Sequence, residues 1–216
     1  LRWIEPVVFA WLRYFHNLTQ ATLVPTRQMQ NELTSGGIKR VEVFGRGVDC
    51  ERFSPSRRSS MLRQAWGVKD DELVVIYVGR VAAEKNIDLA VKTFNRMREI
   101  RPELKFVVVG DGPQMDHIKS ANPDFIYCGM KTGIELAEHY ASADVFLFPS
   151  VTETFGNVVT EALASGLALV AYDYAAAQTH VKTGVNGVLA DFNDTNAYCE
   201  RAIELIQQPE SLAPMR

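Results

Sequence analysis

From residue 73 onward the chain alternates between two hydrophobic patterns. Short, continuous apolar runs occupy 73–78, 106–109, 125–128, 145–148, 168–171 and 188–190. Runs of this length, rich in β-branched residues, read as strands buried on both faces. The stretches between them carry apolar residues at helical spacing. A helix is expected to open at Glu84-Lys85-Asn86 and run to about Arg98, with Leu89, Ala90, Phe94 and Met97 inward. Further helices are predicted after Pro113 to about Ser120, over 133–141, from about Thr154 to near Ser165-Gly166, and over 196–207. Strands alternating with helices predict an α/β fold, a Rossmann-like doubly wound parallel sheet with right-handed crossovers. Ligands on such sheets sit at the carboxyl ends of the strands.

The first 72 residues are less regular. Residues 1–19 read as an aromatic helix, with Trp11, Leu12, Phe15 and Leu18 at helical spacing, a stripe expected to be core or an interface. Strands are predicted at 21–24 and 41–44, flanking a helix that opens at Pro25-Thr26 and stops at 35–37. The polar, breaker-rich run 54–60 reads as a linker with solvated arginines, followed by a short helix at 61–66 closed by Gly67.

Composition narrows the function classes. With 216 residues, 47% hydrophobic and 23% charged, the chain reads as an ordinary globular protein of one to one and a half domains. A net charge of −3 gives no electrostatic reason to propose nucleic acid as a partner. Cys50, Cys128 and Cys199 are far apart and odd in number, so reduced thiols in a cytoplasmic setting are expected. No apolar run reaches the roughly 18 residues of a membrane span. The four histidines lack metal-ligand spacing, and no P-loop, dinucleotide fingerprint or nucleophile elbow occurs.

The chemistry concentrates in three loops at strand ends. In the stretch 149–166, Glu153 and Glu161 bracket a turn with seven residues between them. Thr154 is the expected N-cap of the helix that follows, with Asn157 at its third position. The free N–H groups of Phe155, Gly156 and Asn157 would then attract a phosphate. Two carboxylates beside a phosphate are better suited to hydroxyls on either side, the layout of ribose, diphosphate and sugar in a nucleotide sugar. Arg80 and Lys85, on a loop that opens a helix, could grip a diphosphate leaving group without a metal. Gly110-Asp111-Gly112-Pro113 forms the third loop.

Together these motifs carry a family resemblance. Residues from about 20 to 207 resemble the retaining GT-B glycosyltransferases of family 4. The matching motifs are Gly47-Val48-Asp49 with Phe53-Ser54-Pro55, Val78-Gly79-Arg80 with Glu84-Lys85-Asn86, and Val109-Gly110-Asp111-Gly112-Pro113. They continue with Tyr140-Ala-Ser-Ala-Asp144, the Glu153–Glu161 stretch, Ala164-Ser-Gly166 and Gly184-Val-Asn-Gly187. The tracts around Gly45–Asp49, Glu153–Asn157 and Asp173–Ala177 look like the GDP-mannose-dependent mannosyltransferase branch.

The resemblance implies a hexosyltransferase with GDP-mannose favoured over a UDP-sugar as donor, and no metal required. It implies that Arg80 and Lys85 bind the diphosphate, Glu153 contacts the donor sugar and Glu161 the ribose. Amides of Thr154, Phe155, Gly156 and Asn157 would face sugar and phosphate, with Gly110, Gly129 and Met130 near the nucleotide. Domains are expected as 1–45, the tail of an acceptor-binding domain; 46–68, a linker and entry helix; and 69–216, the donor-binding domain. The acceptor, a lipid or glycan, and any peripheral contact with the inner face of the membrane would then involve the rest of the N-terminal domain. On that reading the chain alone has little or no transferase activity. A UDP-sugar-dependent transferase, a non-catalytic nucleotide-binding module, and an epimerase or phosphorylase remain alternatives on the same framework.

Overall fold

The computed structural model describes residues 5–216, except 46, 70, 154, 155, 209, 211, 213, 214 and 216. The chain forms two compact units that divide between Gly47 and Val48. In the first unit, α1 (Glu5–Leu18), β1 (Thr22–Val24), α2 (Arg27–Ser35) and β2 (Val41–Val43) follow in order. The two strands pair in parallel, Thr22 opposite Val41. Thr26 caps α2 by accepting from the Met29 amide at 3.2 Å. Val24, Ile38 and Val41 form a small core with Met29 and Leu33. Of the two expectations for the aromatic stripe, core or interface, the core is not met: α1 buries no residue, and Trp11, Tyr14, Phe15 and Leu18 are exposed.

The second unit is built on a six-stranded parallel sheet. Its elements are α3 (Ser60–Ala65), β3 (Val74–Val78), α4 (Ile87–Ile100), β4 (Lys105–Val109), α5 (Met115–Ala121), β5 (Ile126–Gly129) and α6 (Gly133–Ser142). They continue with β6 (Val145–Phe148), α7 (Asn157–Ala164), β7 (Ala168–Tyr172), α8 (Ala175–His180), β8 (Gly187–Ala190) and α9 (Thr195–Gln207). The strand order is β5-β4-β3-β6-β7-β8. The chain therefore winds outward from β3 to β5, returns to the middle, and winds outward again from β6. That reversal places a topological switch point between the carboxyl ends of β3 and β6, where α/β sheets bind ligands.

The strands alternate their side chains between two apolar layers. Val75, Tyr77, Phe106, Val108, Leu147 and Val170 face one side, covered by Leu89, Phe94 and Met97 of α4 and by Tyr198, Ala202 and Ile206 of α9. Val74, Ile76, Val107, Phe146 and Leu169 face the other, covered by Tyr140 of α6, Val159 and Ala162 of α7, and Ala176 of α8. Both faces are buried, which is why the strands read as unbroken apolar runs rather than alternating ones.

The run 54–60 differs from its reading as a solvated linker. Ser54 caps a 3₁₀ turn over Pro55–Arg57, and Ser59 caps α3. Arg58 donates to the Ala141 and Ala143 carbonyls and to Asp144 Oδ1, at 3.1–3.2 Å. Arg63 is almost fully buried, pairs with Asp144 Oδ2, and donates to the carbonyls of Ser142, Lys69 and Glu72. Asp144 Oδ2 also accepts from the Val74 amide at 2.7 Å. One carboxylate thus ties the segment before β3 to the turn that enters β6.

Candidate functional site

Tyr77, the fourth residue of β3, fixes the first loop of the site. Its side chain lies in the buried layer, and its hydroxyl donates to the Arg80 carbonyl at 2.8 Å. Burial pushes the phenol well above its ordinary range, with Glu84 and Glu153 adding to the effect, so it stays a donor. After Arg80 the chain makes a 3₁₀ turn at Ala83–Lys85 and passes through Asn86, whose φ of 54° ends that turn. Helix α4 begins only at Ile87, three residues later than expected, so Lys85 sits on the turn rather than on the helix.

The second loop is held against the first by backbone contact. The Gly79 amide donates to the Val109 carbonyl, and the Val81 amide to the Asp111 carbonyl, both at 3.0 Å. A Cβ on Gly110 would stand 1.9 Å from the Gly79 carbonyl oxygen, so only glycine lets the two loops lie this close. Gly110 also donates to the Gly129 carbonyl at 2.8 Å, which links the loop after β4 to the end of β5.

The third loop follows β6. Thr154 and Phe155 fall outside the described residues. Helix α7 starts at Asn157 with Gly156 as its cap at φ 65°, so the expected cap at Thr154 is corrected: Asn157 is the first helical residue, not the third. A side chain at Gly156 would strike Ala176 of α8 at 2.8 Å, besides needing a left-handed backbone. Helix α8 follows β7 and brings Ala176 beside this turn.

Loops one and three are joined across the switch point. Lys85 Nζ pairs with Glu153 Oε1 and donates to the Thr152 carbonyl. The Asn86 side-chain amide donates to the Pro149 carbonyl at 3.3 Å, and the Thr152 hydroxyl to the Glu84 carbonyl at 2.9 Å. Arg80, beside them, pairs with Glu84 at 3.0 Å.

Two clefts meet at Arg80. The larger, about 630 Å³, lies toward β4 and β5, between Gly79, Arg80, Gly110, Asp111, Gly112, Met130, Lys131 and Leu136. The smaller, about 190 Å³, lies toward β6, between Tyr77, Gly79, Arg80, Lys85, Phe148, Ser150, Glu153 and Val158. The buried Ser150 hydroxyl has no hydrogen-bond partner among the described residues. Of the residues singled out from the sequence, Arg80, Lys85, Glu153, Gly110 and Met130 line one or both clefts. Gly129, Gly156, Asn157 and Glu161 line neither. Glu161 accepts a hydrogen bond from the fully buried Tyr140 hydroxyl at 3.4 Å. Burial pushes the Glu161 carboxyl above the usual glutamate range, and that hydrogen bond opposes the shift.

Sequence reasoning missed Asn86, Thr152, Ser150, Lys131 and Tyr140 as parts of the site and its support. Lys131 follows β5 directly, so the rule that ligands gather at strand ends could have found it. The cross-loop roles of Asn86 and Thr152 leave no local signal. Among the described residues no group of three or more His, Cys, Asp or Glu side chains is placed to hold a metal, and no helix is long and apolar enough to cross a membrane.

Comparison with known proteins assigns this geometry to a family. Residues 72–208 match the model of the glycosyl transferases group 1 family. The chain belongs to that family. It is 35% identical over 196 residues to a GDP-mannose-dependent alpha-mannosyltransferase of Corynebacterium glutamicum, covering 91% of this chain and 46% of the relative. A protein of the same name from Mycobacterium tuberculosis is 41% identical over 167 residues, covering 76% and 42%. The chain thus spans less than half the length of these curated relatives.

Among solved structures, sucrose-phosphate synthase from Thermosynechococcus elongatus superposes with a TM-score of 0.81 at 20% identity, over 96% of this chain and 54% of that one. Anabaena HepE in complex with UDP and glucose superposes with a TM-score of 0.78 at 20% identity, over 96% and 59%. The six-stranded unit has the fold of the C-terminal domain of GT-B glycosyltransferases.

Proposed function

We propose that this chain is the donor-binding half of a retaining glycosyltransferase that moves mannose from GDP-mannose to a hydroxyl of a lipid or glycan. The observation that carries the reading is the pair of cations on the β3–α4 loop, at the switch point, between a larger and a smaller cleft. A nucleoside fits the larger cleft, the diphosphate lies along Arg80 and Lys85, and the sugar enters the smaller cleft beside Glu153. Mannose and guanine are favoured because the curated relatives above are GDP-mannose-dependent mannosyltransferases.

Each charged residue then has a chemical task. As the bond from the anomeric carbon to the diphosphate oxygen breaks, negative charge grows on that oxygen. Arg80 offers a planar fork and Lys85 a point charge to stabilise it. These cations and the amino end of α7 supply positive charge from the protein itself, so donor binding needs no metal. An acceptor hydroxyl that attacks from the face the diphosphate leaves gives its proton to the departing phosphate oxygen, and the anomeric configuration is retained. Glu153 accepts hydrogen bonds from sugar hydroxyls; the family pattern assigns Glu161 to the ribose, although it lines neither cleft. The acceptor is held by an N-terminal domain of which residues 1–45 form a part.

Ligand-dependent stability tests the reading, because a ligand that binds only the folded state raises the melting temperature by mass action. GDP and GDP-mannose are expected to stabilise the chain with or without a chelator. Arg80→Ala or Lys85→Ala should weaken GDP about 10- to 100-fold, the worth of a charged hydrogen bond of roughly 1.5–3 kcal/mol. A preference for UDP would keep the transferase and change the donor. Stabilisation by NAD alone, or a chelator-abolished response, would overturn the metal-free nucleotide-sugar site.

A further inference from the structure

The two cations of the loop after β3 are held by carboxylates of very different standing. Arg80 and Glu84 are 65% and 45% exposed, so water screens their pair. Lys85 and Glu153 are only 26% and 16% exposed, and they join two different loops. The second carboxylate oxygen of Glu153 lies 3.8 Å from the position a Cβ would take on Gly156, at the amino end of α7. Glu153 therefore occupies the place between a lysine and a helix start that suits an anion.

Drawing Lys85 away leaves a half-buried carboxylate without its counter-charge, which is costly unless other donors replace it. A bare nucleoside diphosphate takes Lys85 and offers Glu153 nothing. An intact nucleotide sugar takes Lys85 with its diphosphate and gives Glu153 the hydroxyls of its sugar. We infer that Glu153 acts as an exchangeable counter-ion of Lys85 that makes the site select the intact donor over the spent nucleoside diphosphate. Once the sugar has left, Glu153 reclaims Lys85 and loosens the hold on the product. This inference rests on the donor-site reading above.

Calorimetric titration of the 216-residue chain with GDP and with GDP-mannose separates the possibilities. The unmodified chain should bind GDP-mannose more tightly than GDP. Glu153→Gln, nearly isosteric, should tighten GDP about three- to tenfold and weaken GDP-mannose, so the preference narrows from both sides. Glu84→Gln should move both ligands alike and leave their ratio unchanged, because each carries the same diphosphate. In a Lys85→Met background, Glu153→Gln should have no further effect on GDP. Unchanged or weaker GDP binding in a folded Glu153→Gln variant would overturn the inference. So would a ratio narrowed equally by Glu84→Gln. Nucleotide binding that survives Arg80→Ala and Lys85→Ala would instead sink the donor-site reading, as would no binding of either ligand by the unmodified chain.

Discussion

Asp144 and Glu153 each pair with cations from an earlier segment of the chain, yet the two pairings differ in kind. Asp144 is 1% exposed, with Arg58 and Arg63 on its two oxygens and the Val74 amide on one of them. The guanidinium of Arg63 divides its donors among Asp144 and three carbonyls. Glu153 sits at the edge of a cleft, and its lysine lines the same cleft on a flexible four-carbon stem. A buried carboxylate held by fixed donors on both oxygens holds a fold together. An ion pair with one mobile member at a cavity wall can trade partners, which is what a binding site requires.

The sharpest break of this contrast is Asp144→Asn. It removes the charge that two guanidiniums share and leaves Arg63 buried without it. Losing one member of a buried ionic cluster costs about 3–5 kcal/mol, measurable by urea unfolding. Lys85→Ala should cost about 1 kcal/mol, more than an exposed pair but well below Asp144→Asn because Glu153 lies at a cleft that water can enter, while abolishing most of the nucleotide response. If the two substitutions destabilised equally, the separation of structural from exchangeable ions would be wrong.

How much of this was legible beforehand depends on the range of the interaction. The strands were readable because burial on both sheet faces leaves an unbroken apolar signature at each one. The loops of Arg80, Gly110 and Glu153 were readable because they interrupt that pattern with glycine and charge at strand ends. The Asp144 cluster was not. Arg58 stands among serines, a local context that looks solvated, Arg63 is a lone charge on a short helix, and their partner is about 80 residues away. The start of α7 was misplaced for a related reason. Thr154 is a good cap by type, but the helix is capped by Gly156 in a left-handed backbone conformation beside Ala176 of α8, a site that leaves no room for a side chain.

The smallest effect concerns Glu161, which lies between the two cases: half-buried like a site residue, but held by a core hydroxyl like a structural one. Burial raises its carboxyl above the ordinary value of 4.5. The folded state therefore keeps its proton to higher pH than the unfolded chain does. Stability that is present below pH 4.5 is lost as pH rises through the folded pKa, because the unfolded chain ionises first. Glu161→Gln should remove this slope and flatten the melting temperature across mildly acidic pH, without the collapse expected of Asp144→Asn. It should also reduce the advantage of GDP over its 2′,3′-dideoxy analogue, since the carboxylate that accepts ribose hydroxyls is gone. A flattened slope with an unchanged ribose preference would place Glu161 with Asp144, as a buried acid serving the fold alone.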